Sequence, residues 1–247
     1  MKFVSGGYYI IDSYRRPEYM DATVVSDPIL SASSCLCDFH PDAAFLTDAY
    51  KNDKRRYAKR LQLPQADYEP ITTWMEGAYE KELIAYPQMF TTLASARDYG
   101  ATFLKHVQEP RLIGIGLAED LVQKFLEDEE TLEKPDENRL GLEKGLLRGT
   151  EVEGEDATLL GYEVLGFESG TGSFHSYLCN GLENDFKKLF NFKPNGNGFI
   201  ASLDEAMKYA NYCNSEDVET EHVLWLPWAI FSFPFAQEKG WVVEKLI

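Results

Sequence analysis

The chain has 247 residues, 44% of them apolar, so it can fill a core and does not belong with disordered proteins. Its 24 basic and 41 acidic residues leave a net charge of −17, which repels nucleic acid and anionic membrane and attracts basic proteins. Four cysteines do not make a disulfide framework at this length.

The charge is uneven. Residues 1–109 carry 15 acids and 12 bases, whereas 110–247 carry 26 acids and 12 bases. The segment 119–156 alone holds 14 acids and 5 bases. No apolar run reaches the roughly 20 residues that span a bilayer. Nothing in Met1–Tyr9 resembles a signal peptide. The expectation is therefore a cytoplasmic protein with reduced thiols.

Phe3–Ile11 mixes aromatic and β-branched residues around a Gly-Gly pair, which predicts a strand with a bulge. Arg15–Pro17 and Asp27-Pro28 predict turns, with a short strand at Ala22–Val25 between them. Ile29–Cys37 reads as a further strand or an irregular loop. Asp42–Leu61 has a helical apolar period and a crowded basic second half. That face is read as solvated rather than as a nucleic-acid helix. Two more helices are expected, within Ala66–Ala85 and over Gln88–Val107. Arg111–Leu117 predicts a buried strand and Ala118–Leu126 a helix with acids at its start.

Asp128–Asp156 is charged and poor in large apolar residues, which predicts a long acidic loop with a turn or two of helix at Leu140–Leu147. Leu159–Phe167 reads as a strand buried on both faces. Ser169–Ser173 would be a tight Gly-rich turn, with Ser173 capping an amphipathic helix from Phe174 to Phe190. Pro194–Gly198 predicts a turn and Phe199–Ala201 a short strand. Ser202 is the expected cap of a helix over Leu203–Tyr212. Val223–Leu226 and Trp241–Leu246 are the last expected strands. The pattern predicts an α/β or α+β fold, a mixed sheet flanked by helices, with the N-terminal third helix-rich. One domain over 1–247 is expected, with a possible division into 1–127 and 157–247 joined by the acidic loop 128–156.

Four groups of residues have the types that chemistry or recognition needs. The Gly-rich turn at 169–173 joins strand to helix, where phosphate binds in many α/β proteins, but it matches neither nucleotide motif. On the expected helix His175 and Cys179 stand four apart, with Glu183 one turn further. That spacing would activate a thiolate for a thiol-dependent small-molecule enzyme. A buried, inert thiol is the plainer alternative. Cys35, Cys37 and His40 offer three metal ligands in a C-x-C spacing that suits zinc poorly, so no metal is expected. The fourth group is a recognition surface. It comprises Glu127, Asp128, Glu129 and Glu130, then Glu216, Asp217, Glu219 and Glu221, and the aromatic anchors Trp225 and Trp228.

The acidic C-terminal half, with LGYEVLGFE, FHSYLCNGLE and LWLPW, resembles the small immunity proteins that bacteria encode beside secreted toxins. The resemblance touches roughly the last 90 residues. It implies a non-enzymatic inhibitor without a cofactor that binds and neutralises one basic toxin domain in the cytoplasm. The acidic charge, independently, leads to the expectation of neither a nucleic-acid nor a membrane partner.

Overall fold

The structure is a computed structural model that describes residues 1–11, 15–33, 68–85, 89–104, 110–130, 141–152, 154, 156–168 and 173–235. Among the described residues the strands are β1 (Phe3–Ile11), β2 (Ile84–Ala85), β3 (Met89–Phe90), β4 (Arg111–Ala118), β5 (Thr158–Glu168), β6 (Ser173–Ser176) and β7 (Trp225–Phe233). The helices among them are α1 (Tyr68–Glu80), α2 (Leu93–Phe103), α3 (Glu119–Glu130), α4 (Gly141–Arg148), α5 (Glu183–Phe190) and α6 (Leu203–Cys213). The strands form one sheet in the order β2-β3-β1-β4-β7-β5-β6. Every described pairing between them is antiparallel, so the fold is α+β.

The sheet crosses between the two halves of the sequence. β4 pairs with β7 from Leu112↔Phe233 to Leu117↔Trp228, and β7 pairs with β5 from Thr158↔Ser232 to Gly166↔Trp225. Strands central to such a sheet are covered on both faces. That is why RLIGIGLA is buried at every position after Arg111. Ile113, Ile115 and Leu117 join one apolar cluster, with Phe125 of α3, Leu142 and Leu146 of α4, and Met20, Val24, Val25 and Ile29. Leu112 and Phe233 join Tyr8, Ile10 and Phe90 in a second cluster, closed by Ile71 and Met75 of α1 and Tyr99 of α2.

The bulge expected in β1 lies between Ser5 and Gly7. Gly7 has φ +112, and a Cβ there would stand 2.0 Å from Met89 Cε. Ser202 caps α6, its hydroxyl accepting from Glu205 N–H. The acidic stretch 128–156 holds α4, whose Leu142 and Leu146 are buried.

Several expectations are corrected, the first being the mixed sheet, since every described pairing is antiparallel. The N-terminal third is strand-led: β1 is a nine-residue, nearly all-buried strand, followed in 15–33 by turns and an isolated bridge at Ile29. The helix expected at Asp42–Leu61 lies outside the described residues, and so does the strand at Trp241–Leu246. Ala22–Val25 is a turn, with Val24 and Val25 N–H both donating to Asp21 O.

The largest correction concerns Phe174–Phe190. It is a short strand, a turn and then a helix, not one helix. Ser173–Ser176 pairs with β5 in the register Phe167↔Phe174, Gly166↔His175 and Leu165↔Ser176, so Ser173 is not a helix cap. The chain then turns over Tyr177–Leu182, with Gly181 at φ +69, before α5 begins at Glu183. The apolar residues are buried all the same, because the turn folds Tyr177, Leu178 and Leu182 onto the core that Phe186 enters from α5. Phe186 lies between Tyr177 and Tyr209, with ring centroids at 5.0 and 4.6 Å and interplanar angles of 27° and 21°.

Candidate functional site

The acidic stretch between α6 and β7 is a closed loop. Asn214 ends α6, and its side chain bridges to β7. Its Nδ2 donates to Trp225 O at 2.8 Å and its Oδ1 accepts from Trp225 N–H at 2.9 Å. The Trp225 indole N–H donates to Thr220 Oγ1 at 3.2 Å, tying the middle of the loop to its end. Glu221 is held from a third side, accepting from Asn180 Nδ2 at 2.7 Å. Glu216, Asp217 and Glu219 stay exposed on this fixed frame.

His175 joins the loop to the β5–β6 hairpin. Its Nε2 is 3.1 Å from Glu168 Oε2, and its Nδ1 is 3.4 Å from Glu221 Oε1. The register explains the neighbours. His175 is level with Gly166, which is level with Trp225 on the other side of β5. Glycine is required there, because a Cβ would stand 2.3 Å from Val223 Cγ2 and 3.2 Å from Trp225 Cδ2.

Glu127 and Asp128 are exposed on α3, and Gln123 Nε2 donates to Glu127 at 3.0 Å. Glu129 and Glu130 are in the last turn of the same helix. Glu221 is half-buried. Trp225 and Trp228 are fully buried and belong to the core rather than to a partner surface. Trp228 packs edge-on against Phe125 and Phe174, at 5.7 and 5.2 Å. An aromatic-rich strand crossing the centre of a sheet has the same composition as an exposed anchor, and only its neighbours tell the two apart.

His175, Cys179 and Glu183 are not gathered on one helix. His175 is on β6, Cys179 in the turn after it and Glu183 at the start of α5. The partners of His175 are the two glutamates named above. Cys179 is disulfide-bonded, so the expectation of reduced thiols fails there, and its sulfur is not available to a thiolate mechanism. Ser33 Oγ lies 3.4 Å from its sulfur. Cys213 is free and buried, and that burial pushes its thiol up to about 12. Glu183 is buried with Oε1 accepting from Asn184, and burial raises its pKa. Cys35, Cys37 and His40 lie outside the described residues, as does the turn at 169–172. Among the described residues no group of three or more His, Cys, Asp or Glu is arranged to hold a metal ion. No described helix is long and apolar enough to cross a membrane.

One site was not foreseen. Glu163, in the middle of β5, is only 2% exposed. Its Oε1 accepts from Ser31 Oγ at 2.5 Å and from Ser176 Oγ at 2.8 Å, and its Oε2 accepts from Ala32 N–H at 3.2 Å. Each serine accepts a backbone N–H in turn, Ser33 N–H onto Ser31 and Leu178 N–H onto Ser176. Burial pushes the Glu163 carboxyl up to about 7, against the pull of the three donors. The only signal in the sequence was one glutamate inside an otherwise apolar strand.

No protein-family model, curated protein or solved structure matches this chain. Fold and site therefore define it only as an α+β protein with a curled antiparallel sheet and an exposed, clasped acidic loop.

Proposed function

We propose that this chain is an acidic binding protein of the immunity kind, which neutralises a basic toxin domain by covering its cationic cleft. The observation that carries this reading is the loop 214–224. It presents Glu216, Asp217 and Glu219 to solvent while Asn214, Thr220 and Asn180 fix its frame. A loop held in place before binding loses little entropy on capture. The exposed acids of α3, Glu127 and Asp128 among them, add to the same negative field, and the net charge of −17 extends it. In this reading the protein works without a cofactor.

Stopped-flow association with a basic toxin domain, to be sought among the neighbouring genes, tests it. The triple variant Glu216→Lys, Asp217→Lys, Glu219→Lys should slow association by about tenfold or more at low salt, with dissociation changed less. The gap should narrow as salt shortens the screening length to roughly 8 Å or below. Equal association rates at low salt would remove the loop from the recognition surface. No binding by the parent would remove the reading itself.

A further inference from the structure

Glu163 is a carboxylate in the core with no cation among its described contacts, and it joins three parts of the chain. Ser31 and Ala32 come from the N-terminal segment, Ser176 from β6, and Trp228 is its cross-strand neighbour on β7. Beside it is a cavity of about 10 Å³, which has room for about one water. Glu163, Tyr177 and Phe199 form part of its wall, and Val24, Val25, Ile29 and Leu30 form much of the rest. The N-terminal segment thus supplies two of the three donors to the carboxylate and also forms much of the wall of the cavity beside it.

We propose that Glu163 is a proton-operated latch, in which the charge on one buried carboxylate decides whether residues 29–33 stay seated on β5. With a proton on Oε1, shared with Ser31 Oγ, the side chain is neutral and Oε2 still accepts from Ala32 N–H. The segment is then seated at little electrostatic cost. When the proton leaves, a full charge is held by three neutral donors in a medium of low polarity. Lifting the segment widens the cavity and lets water solvate the charge, so the ionised state favours the open segment. Among the described residues, Tyr177 is the other titratable group facing Glu163. Its hydroxyl is held far above the ordinary range, first by burial and then by Glu163 and Glu183, so it stays neutral while the carboxyl titrates. Tyr209 and Cys213 flank Tyr177 in turn, and burial raises both.

Amide hydrogen exchange on the full chain tests the latch, read as protection factors so that the intrinsic pH dependence is removed. Between about pH 5 and about pH 9, protection at Ala32 and Ser33 should fall by about tenfold or more, while amides of β4 change less. In Glu163→Gln, which has no charge to develop, protection at the same amides should not change with pH. Unchanged protection in the parent, or the same pH dependence in Glu163→Gln, overturns the latch. The Glu163 carboxyl ¹³C shift of the parent gives a second measurement that needs no variant. A midpoint near neutrality supports the latch, and a midpoint in the ordinary glutamate range overturns it.

Discussion

Gly166 and Trp225 face each other across β5 and β7, and a Cβ at 166 would run into Val223 Cγ2 at 2.3 Å and press on the Trp225 ring at 3.2 Å. Gly166→Ala should therefore be destabilising even though it adds one methyl group to a strand. The methyl would meet Val223 and the indole, and the indole also closes the acidic loop through Thr220. A loss of about 1–3 kcal/mol is expected from chemical denaturation, the usual cost of overpacking. An unchanged midpoint would show that Val223 and the indole can shift freely.

Phe186 should be among the costliest residues to truncate. It is fully buried and stacked between Tyr177 and Tyr209. Phe186→Ala should lose about 3–5 kcal/mol by the same measurement. Leu189→Ala on the exposed side of the same helix should lose far less.

The buried carboxyl of Glu163 makes stability depend on pH in a stated direction. Its pKa rises from the ordinary 4.5 to about 7 on folding. Between those values the folded state keeps a proton that the unfolded state has lost. This contribution to stability is therefore whole below about pH 4.5 and is lost as pH rises to about 7. At 1.36 kcal/mol per pH unit the loss is about 3 kcal/mol. Denaturation curves across this range should show the decline, and Glu163→Gln should flatten it.

Cys179 should resist alkylation in the native, unreduced protein and label only after reduction, because its sulfur is in a disulfide. Cys213 should resist for another reason, since it is a buried thiol with a pKa pushed up to about 12. Mass mapping of the labelled cysteines checks both. Labelling of Cys179 without reductant would restore the thiol chemistry that its disulfide removes. A disulfide that persists in the purified protein would instead point away from a reducing cytoplasm.

The sequence by itself determined the features that depend on short-range pattern. The buried strand Arg111–Ala118, the bulge in β1 and the Ser202 cap of α6 were all legible, because a continuous apolar run, a Gly-Gly pair and a capping hydroxyl act within a few residues. The apolar residues of 174–190 were legible as core too. What the pattern could not decide was their backbone. Phe174, Tyr177, Leu178 and Leu182 have helical spacing, but pairing of Ser173–Ser176 with β5 satisfies backbone groups that a helix would have to satisfy internally. That competition is settled by a partner strand up to eleven residues away and by no local preference.

Tertiary structure alone also separated the acids from one another. Glu163, Glu221 and Glu216 are the same residue type, yet one is a core acceptor, one is held by Asn180 and one is free in solvent. Trp225 and Trp228 likewise became core residues only because β7 crosses the centre of the sheet between β4 and β5. Net charge is a sum over the chain and can be counted from the sequence. Which charges water can reach depends on what is packed over them, and contacts between distant segments decide that.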